Sequence, residues 1–414
     1  MKKTNGIQFY MFLFYLSLLS MLGFIATDMY LPAFNAIETT FNTTPTQVAM
    51  SLTTFLAGLA CGQLAYGPLV ARIGKRNSLF LGLAVFGIAS VAIANSDSMM
   101  AVNIARFCQA LGACSAAVIW QALVVEQYDA EQAQGIFSNI MPLVALSPAL
   151  APIIGAFVQA HMGWRAIFVV LTIIAAMLIL MTYLLVPAEA STKRQDISSS
   201  TRFIDILKNR KFLGSVVIFG ACSGAFFSYL TVWPIVMEQH GYAAAEIGLS
   251  FIPQTIMFIV GGYASKILVR KLGSDSALNV LLLVFGSCVT AIVLSTVVFK
   301  FDSIFPLLIA FSILASSSGG IYPIVVNNAL QQFTQDATKA AGVQNFLQLS
   351  LSFGASSIVA LWASHGAMAI GWGILICSVG VLLGYFLQKS NVVPVSAIEP
   401  AAETSNLECV LDDK

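Results

Sequence analysis

Residues 24–34 read FIATDMYLPAF. The stretch closes an apolar run that begins near Phe9, and it sets a carboxylate, Asp28, one turn before Pro32. A run of that length is enough to cross a bilayer, which takes roughly 20 apolar residues. A carboxylate inside such a run costs roughly 2.5–3.5 kcal/mol even on insertion scales. The rest of the chain decides whether the run is a span, and so why the charge is there.

The chain has 414 residues, 58% of them hydrophobic and only 9% charged. Soluble domains carry roughly 25% charged residues, so this much apolar surface calls for lipid as the solvent. The net charge of +1 offers no basic field for nucleic acid. Six of the seven cysteines lie in apolar runs without C-x-x-C spacing and read as small packing residues. The first run is too long for a signal h-region, lacks a small-residue cleavage site and is followed by many similar runs, so it reads as a first span.

Spans are expected near 9–34, 47–68, 77–95, 99–125, 137–160 and 164–186, and again near 212–238, 245–269, 277–299, 304–328, 340–364 and 367–388. The expected fold is therefore all-α: a polytopic membrane protein of twelve transmembrane helices in two six-helix bundles. The units are 1–186, a linker 187–211, 212–388 and a tail 389–414.

An even number of spans puts both termini on one face. That face collects Lys2, Lys3, Arg72, Lys75, Arg76, Lys193, Arg194, Arg202, Lys208, Arg210 and Lys211, and further on Lys266, Arg270, Lys271, Lys339, Lys389 and Lys414. The opposite loops hold Arg165 and Lys300. The positive-inside rule makes the crowded face cytoplasmic. In the linker, Phe203, Ile206 and Leu207 share one helical face opposite Lys208 and Arg210; this reads either as a short helix on the inner membrane surface or as a plain charged linker. The acidic, Pro/Ala-rich tail reads as disordered. A weak repeat, GPLVARIGKR at 67–76 and GGYASKILVRKLG at 261–273, points to a duplicated six-helix unit around a central cavity.

Of the acidic residues, Asp28 alone lies deep in an apolar run, while Glu126 and Glu238 fall at span ends. Burial penalises the charged form of a carboxyl, which equips such a group to exchange a proton near neutral pH. The alternative is a residue near the outer end of span 1, wetted by water. Arg106, in RFCQALG with Gln109 following, is the one basic residue in an apolar run. It stays protonated, so its roles are to tune a carboxylate, to hold an anion or carbonyl of the solute, or to bond backbone carbonyls. Span 5 reads SPALAPIIGAF: Pro148 and Pro152 each remove a backbone donor, and Gly155 permits close approach, as do Gly58 and Gly62 in span 2.

Span 11 carries Gln344, Asn345 and Gln348 in VQNFLQL. Amides there need partners or a wet cavity, and such groups can pair with a purine edge. Candidate stacking and polar partners are Tyr30, Gln109, Trp120, Gln121, Tyr229, Trp233, Gln254 and Tyr322. The alternative is interhelical bonding with aromatics at the lipid interface. No phosphate loop occurs, so ATP is not the energy source. His161, His240 and His365 fall in separate loops without metal-ligand spacing. No metal, cofactor or nucleophile–base set is expected, and so no enzyme.

The GPLVARIGKR loop, RFCQALG and the Pro/Gly-rich span 5 resemble the major facilitator superfamily and its twelve-span drug:proton antiporters. TDMYLPAF narrows the resemblance to the Bcr/CflA group, over essentially the whole chain. Within that group AAVIWQALV, IMPLVALSPALAPIIG, IPQT, IYPIVV and QNFLQL resemble a purine-nucleoside carrier. The resemblance implies a monomeric, proton-coupled carrier of the bacterial inner membrane that works by alternating access on a small-molecule substrate. Its expected cargo is a purine nucleoside, with multidrug efflux as the alternative. Asp28 and Arg106 match the coupling positions, and Arg72, Gly74, Lys75 and Arg76 match the gating loop, with Pro148, Pro152 and Gly155 in the gating helix. Ala71 stands where that loop usually has an aspartate, and Glu126 is the expected substitute partner for Arg72 or Arg76.

Overall fold

In lipid, backbone polar groups must be satisfied within the segment that carries them, and helices do this. The computed structural model describes residues 6–187, 201–242 and 244–389, excepting the side chains of residues 6, 145, 148, 149, 244 and 245. The described residues are predominantly helical, with no strand among them. Lys2, Lys3, Lys193, Arg194, most of the linker and the tail lie outside the described residues.

Twelve long helices run in sequence: α1 (Gly6–Asp28), α2 (Pro45–Ile73), α3 (Lys75–Ala94), α4 (Met99–Gln127), α5 (Ala130–Met162) and α6 (Trp164–Leu185), then α7 (Arg210–Gln239), α8 (Ile252–Leu272), α9 (Ser274–Val293), α10 (Phe305–Leu330), α11 (Ala337–Ala360) and α12 (Ala367–Lys389). Ten helical stretches are long and apolar enough to cross a membrane, and one of them, Phe305–Ala360, contains both α10 and α11. The 33-residue α5 supplies the twelfth span. Polar residues start the helices where they are needed. The Asp129 carboxylate accepts from the Gln132 amide at 2.9 Å, and Asn209 does the same for Phe212 at 2.9 Å, filling first-turn donors that have no partner inside the helix.

Span 1 departs from its expected limits. Its α-helix stops at Asp28, a 3-10 turn follows at Leu31–Ala33, and a short helix covers Phe34–Phe41. Pro32 is the reason: it has no amide hydrogen, and its ring clashes with a preceding helical turn.

Each half packs the same way. The first helix of a half lies against the fourth (α1 on α4, α7 on α10), and the second packs on the fourth as well (α2 on α4, α8 on α10). Gly58 and Gly62 let α2 touch α4, where added Cβ atoms would meet the Phe107 carbonyl at 2.6 Å and the Cys114 sulfur at 2.6 Å. On α6 the exposed residues Val169, Ile173, Met177, Leu180 and Leu184 recur at helical spacing and form an apolar stripe for lipid. The two tight turns of the repeat have one conformation, Gly74 at φ 80°, ψ 163° and Gly273 at φ 81°, ψ 164°.

The linker helix Phe203–Lys208 is present, but it is held by protein. Ile206 is fully buried, and the helix packs on α7 and α11. Thr201 donates from its backbone to Asp336 at 2.9 Å, and Lys339 donates to the Thr201 carbonyl at 2.7 Å while lying over the Phe203 ring. Ile206 therefore turns into the bundle, and Phe203 and Leu207 remain partly exposed.

Candidate functional site

The break in α1 gathers the first part of the site. A helix that stops leaves its last carbonyls without partners, at the negative end of its dipole. Arg106, fully buried on α4, answers this: Nη1 donates to the Ala26 carbonyl at 3.1 Å and to Gln109 Oε1 at 2.7 Å. Gln109 in turn donates to Ser90 on α3 at 2.8 Å. The guanidinium lies between two rings, 4.2 Å from the centroid of Phe55 and 4.6 Å from that of Tyr30. Such contacts contribute about 2 kcal/mol or more when desolvated. The Tyr30 hydroxyl bonds Ser51 on α2. Gly155 of α5 meets the break from the other side, where an added Cβ would run into the Met29 carbonyl oxygen. Pro152 is half-buried just before it; the Pro148 side chain lies outside the described residues.

Charge at this break is incompletely matched. Asp28 is half-buried, and its Oδ2 is enclosed without a hydrogen-bond partner among the described residues. Arg106 Nε and Nη2 are likewise buried without partners. The two side chains are not bonded to each other: Arg106 spends its bonds on a carbonyl and an amide. Of the roles open to Arg106 in the sequence, carbonyl bonding is the one seen. The Tyr30–Phe55 sandwich was not legible in the sequence, because Phe55 looks like any apolar residue of span 2.

The matching place in the second half is neutral. Tyr229 and Trp233 of α7 are fully buried. Tyr229 stacks on Phe311 of α10 with ring centroids 3.5 Å apart and on Trp233 at 4.9 Å. Gln254 donates to the Tyr229 hydroxyl at 2.7 Å, and the Trp233 indole donates to Ser250 at 2.8 Å. Trp120 is also buried, edge-on to Phe137 at 5.4 Å. These four candidates for solute contact are thus enclosed in the two bundles.

The amides divide differently. Gln121 of α4 donates to Asn345 at 3.3 Å, Gln344 donates to Gln121 at 3.5 Å, and Asn345 donates to the Ala117 carbonyl at 3.3 Å. They tie the two halves together. Nearby ties are Asn327 to the Ala130 carbonyl at 3.0 Å, and Ser138 with Ser265 at 3.4 Å. All lie on the half of the molecule that carries the basic loops, so the structure is closed there. Gln348 instead donates to Ser223 of α7 at 2.7 Å and to Ser352 at 3.2 Å. Asn345 and Gln348 remain half-exposed.

In the loop expected to gate, Glu126 does find a cation, but it is Lys75, at 2.7 Å, rather than the expected Arg72 or Arg76. The turn at Gly74 explains the choice. It starts α3 at Lys75, which faces the end of α4, while Arg76, the next residue around the helix, faces α6. There Arg76 donates to the Tyr183 carbonyl at 3.1 Å and lies 5.1 Å from the Tyr183 ring centroid. Arg72 is exposed.

Comparison with known proteins agrees with this architecture. Residues 16–359 match the Major Facilitator Superfamily, and the chain belongs to that superfamily of multi-pass membrane transporters. It is 25% identical over 395 residues to a bicyclomycin resistance protein homolog of Haemophilus influenzae, covering 92% of this chain and 97% of the relative. It is 25% identical over 386 residues to a chloramphenicol resistance protein of Pseudomonas aeruginosa, covering 92% and 85%. A multidrug transporter MdfA of Edwardsiella piscicida is 25% identical over 244 residues, covering 58% and 60%. Among solved structures, the E. coli fucose:proton symporter FucP superposes with a TM-score of 0.72 at 14% identity, covering 93% of this chain and 99% of that one. At that identity the likeness is one of fold.

Proposed function

We propose that the chain is a proton-coupled exporter of small antibiotic-like molecules that works by alternating access in a bacterial inner membrane, with the basic face and both termini toward the cytoplasm. The observation that carries this reading is the polar groups left unmatched around the α1 break: Asp28 Oδ2 at the end of α1 and, on α4, Arg106 Nε and Nη2. Buried charge without full partners is costly, and a carrier uses such a site to take up and release a proton. One charge crossing ~100 mV gains ~2.3 kcal/mol, enough to drive export.

The substrate class follows the relatives, whose names speak of bicyclomycin, chloramphenicol and multidrug resistance. They favour efflux over the expected purine nucleoside. The amides that pointed to a purine are mostly taken up by each other, which supports the same preference. In this reading Gln121, Gln344 and Asn345 form the inner gate. Their bonds at 3.3–3.5 Å are long, so they are weak enough to open and reclose. Lys75 and Glu126 add a partly exposed ion pair to that gate. Asn345, Gln348 and Tyr322, half-exposed at its upper edge, are the best placed to meet a solute.

Proteoliposomes with an imposed pH gradient test the reading. Labelled chloramphenicol should move against its gradient with the parent chain, and adenosine should not. With Asp28→Asn, coupled movement should be lost while substrate exchange persists. If the Asp28→Asn variant still concentrates the antibiotic, Asp28 is not the coupling group. If adenosine alone is moved, the substrate reading fails while the coupling reading stands.

A further inference from the structure

A cleft of about 1450 Å³ opens on the basic face, beside the Asn327–Ala130 tie. One wall belongs to the second half and carries Lys211, Lys266, Arg270, Lys271 and Lys389, all exposed. Asp275 is the acidic residue on that wall. The other wall is the start of α5, with Asp129 and Glu131. The cleft is open and larger than the roughly 300–1,000 Å³ of a small-molecule pocket. Its size and openness leave room for a length of chain, and its cationic wall suits an acidic one.

Such a chain is tethered to it. α12 ends at Lys389, in the cleft wall, and the sequence continues through residues 390–414 with Glu399, Glu403, Glu408, Asp412 and Asp413 against the single cation Lys414. We propose that this acidic tail docks in the cleft, on the cationic wall. A tether raises the local concentration of the tail to the millimolar range, so ion pairs that are individually weak suffice. The tail has the same sign as Asp129 and Glu131 across the cleft. Docking therefore competes with the attraction between the two walls, which come from opposite halves, and loosens the closed basic face. The proposal does not depend on what is carried.

The tail holds its own reporter, Cys409. In a background where Cys409 is the only native cysteine kept, a second one is added at Gln332→Cys, in the cleft, or at Asn77→Cys, exposed on the other half. Crosslinking by a short bis-maleimide should be several-fold faster to position 332 than to 77. The preference should vanish in ~1 M salt, where the Debye length is ~3 Å, and in the Lys266→Gln/Arg270→Gln/Lys271→Gln variant. A second measurement keeps the native cysteines: a thiol at position 332 should react with maleimide several-fold faster when the chain ends at Lys389 than when the tail is present. Equal crosslinking to both positions, insensitivity to salt and charge, or unchanged reactivity on truncation would each overturn the proposal.

Discussion

The first and fourth helices of each half meet at comparable depth, and the two meetings are chemically opposite. Between α1 and α4 lies Arg106, held by one carbonyl, one amide and two aromatic faces, with two of its nitrogens unmatched and one Asp28 oxygen unmatched at the end of α1. Between α7 and α10 lies the stack of Trp233, Tyr229 and Phe311, with the tyrosine hydroxyl and indole nitrogen both bonded. A duplicated unit has kept its packing and divided its chemistry. The satisfied aromatic stack behaves as core. The unsatisfied charge costs stability wherever water is excluded.

The largest expected effect that would break this contrast is at Arg106. Hydrogen bonds to charged groups contribute roughly 1.5–3 kcal/mol each, and Arg106→Gln removes the charge and at least one of its two bonds. Gradient-driven transport should be abolished while the protein still reaches the membrane. A variant that transports normally would make Arg106 a packing residue and erase the difference between the halves.

Gly155→Ala comes next. Its Cβ would meet the Met29 carbonyl at the α1 break, and overpacking of this kind typically costs 1–3 kcal/mol, about as much as a marginal fold can lose. Gly354→Ala, on α11, meets nothing within 4 Å and should hold or raise the melting temperature, since alanine is the better helix former. Equal melting curves for the two variants would mean that the break is not tightly enclosed.

The turns at Gly74 and Gly273 sharpen the comparison from the other direction, since their backbones coincide. Both lie in a region open essentially to glycine alone, so alanine at either should cost roughly 1–3 kcal/mol. The two losses in thermal stability should agree. A much larger loss of transport at Gly74 alone would assign the gate to the Lys75–Glu126 side.

The smallest effect belongs to the neutral stack. Tyr229→Phe keeps the ring and drops the bond from Gln254, leaving that amide one hydrogen bond to the Ser250 carbonyl at 3.2 Å. A net loss of about 1 kcal/mol is expected, read as a slightly lower melting temperature with transport intact. Loss of transport at full stability would give the second half a functional role equal to the first.

The sequence alone determined the membrane class, the number of spans and their grouping, because apolar run length and charge scarcity are properties of the chain and not of its packing. It also singled out Asp28 and Arg106, since a charge in an apolar run is visible without a structure. It placed the end of the first helix late, although Pro32 was in view, because a proline limits a helix without saying how many residues before it unwind. Tertiary structure decided the partners. Glu126 takes Lys75 because a glycine turn rotates Arg76 toward α6, and no local pattern encodes that rotation. Gln121 and Asn345 are 224 positions apart and meet only because the two halves close on the basic face. An amide in an apolar helix must be satisfied by something, and its own sequence neighbourhood is silent on whether a solute or the opposite half will satisfy it.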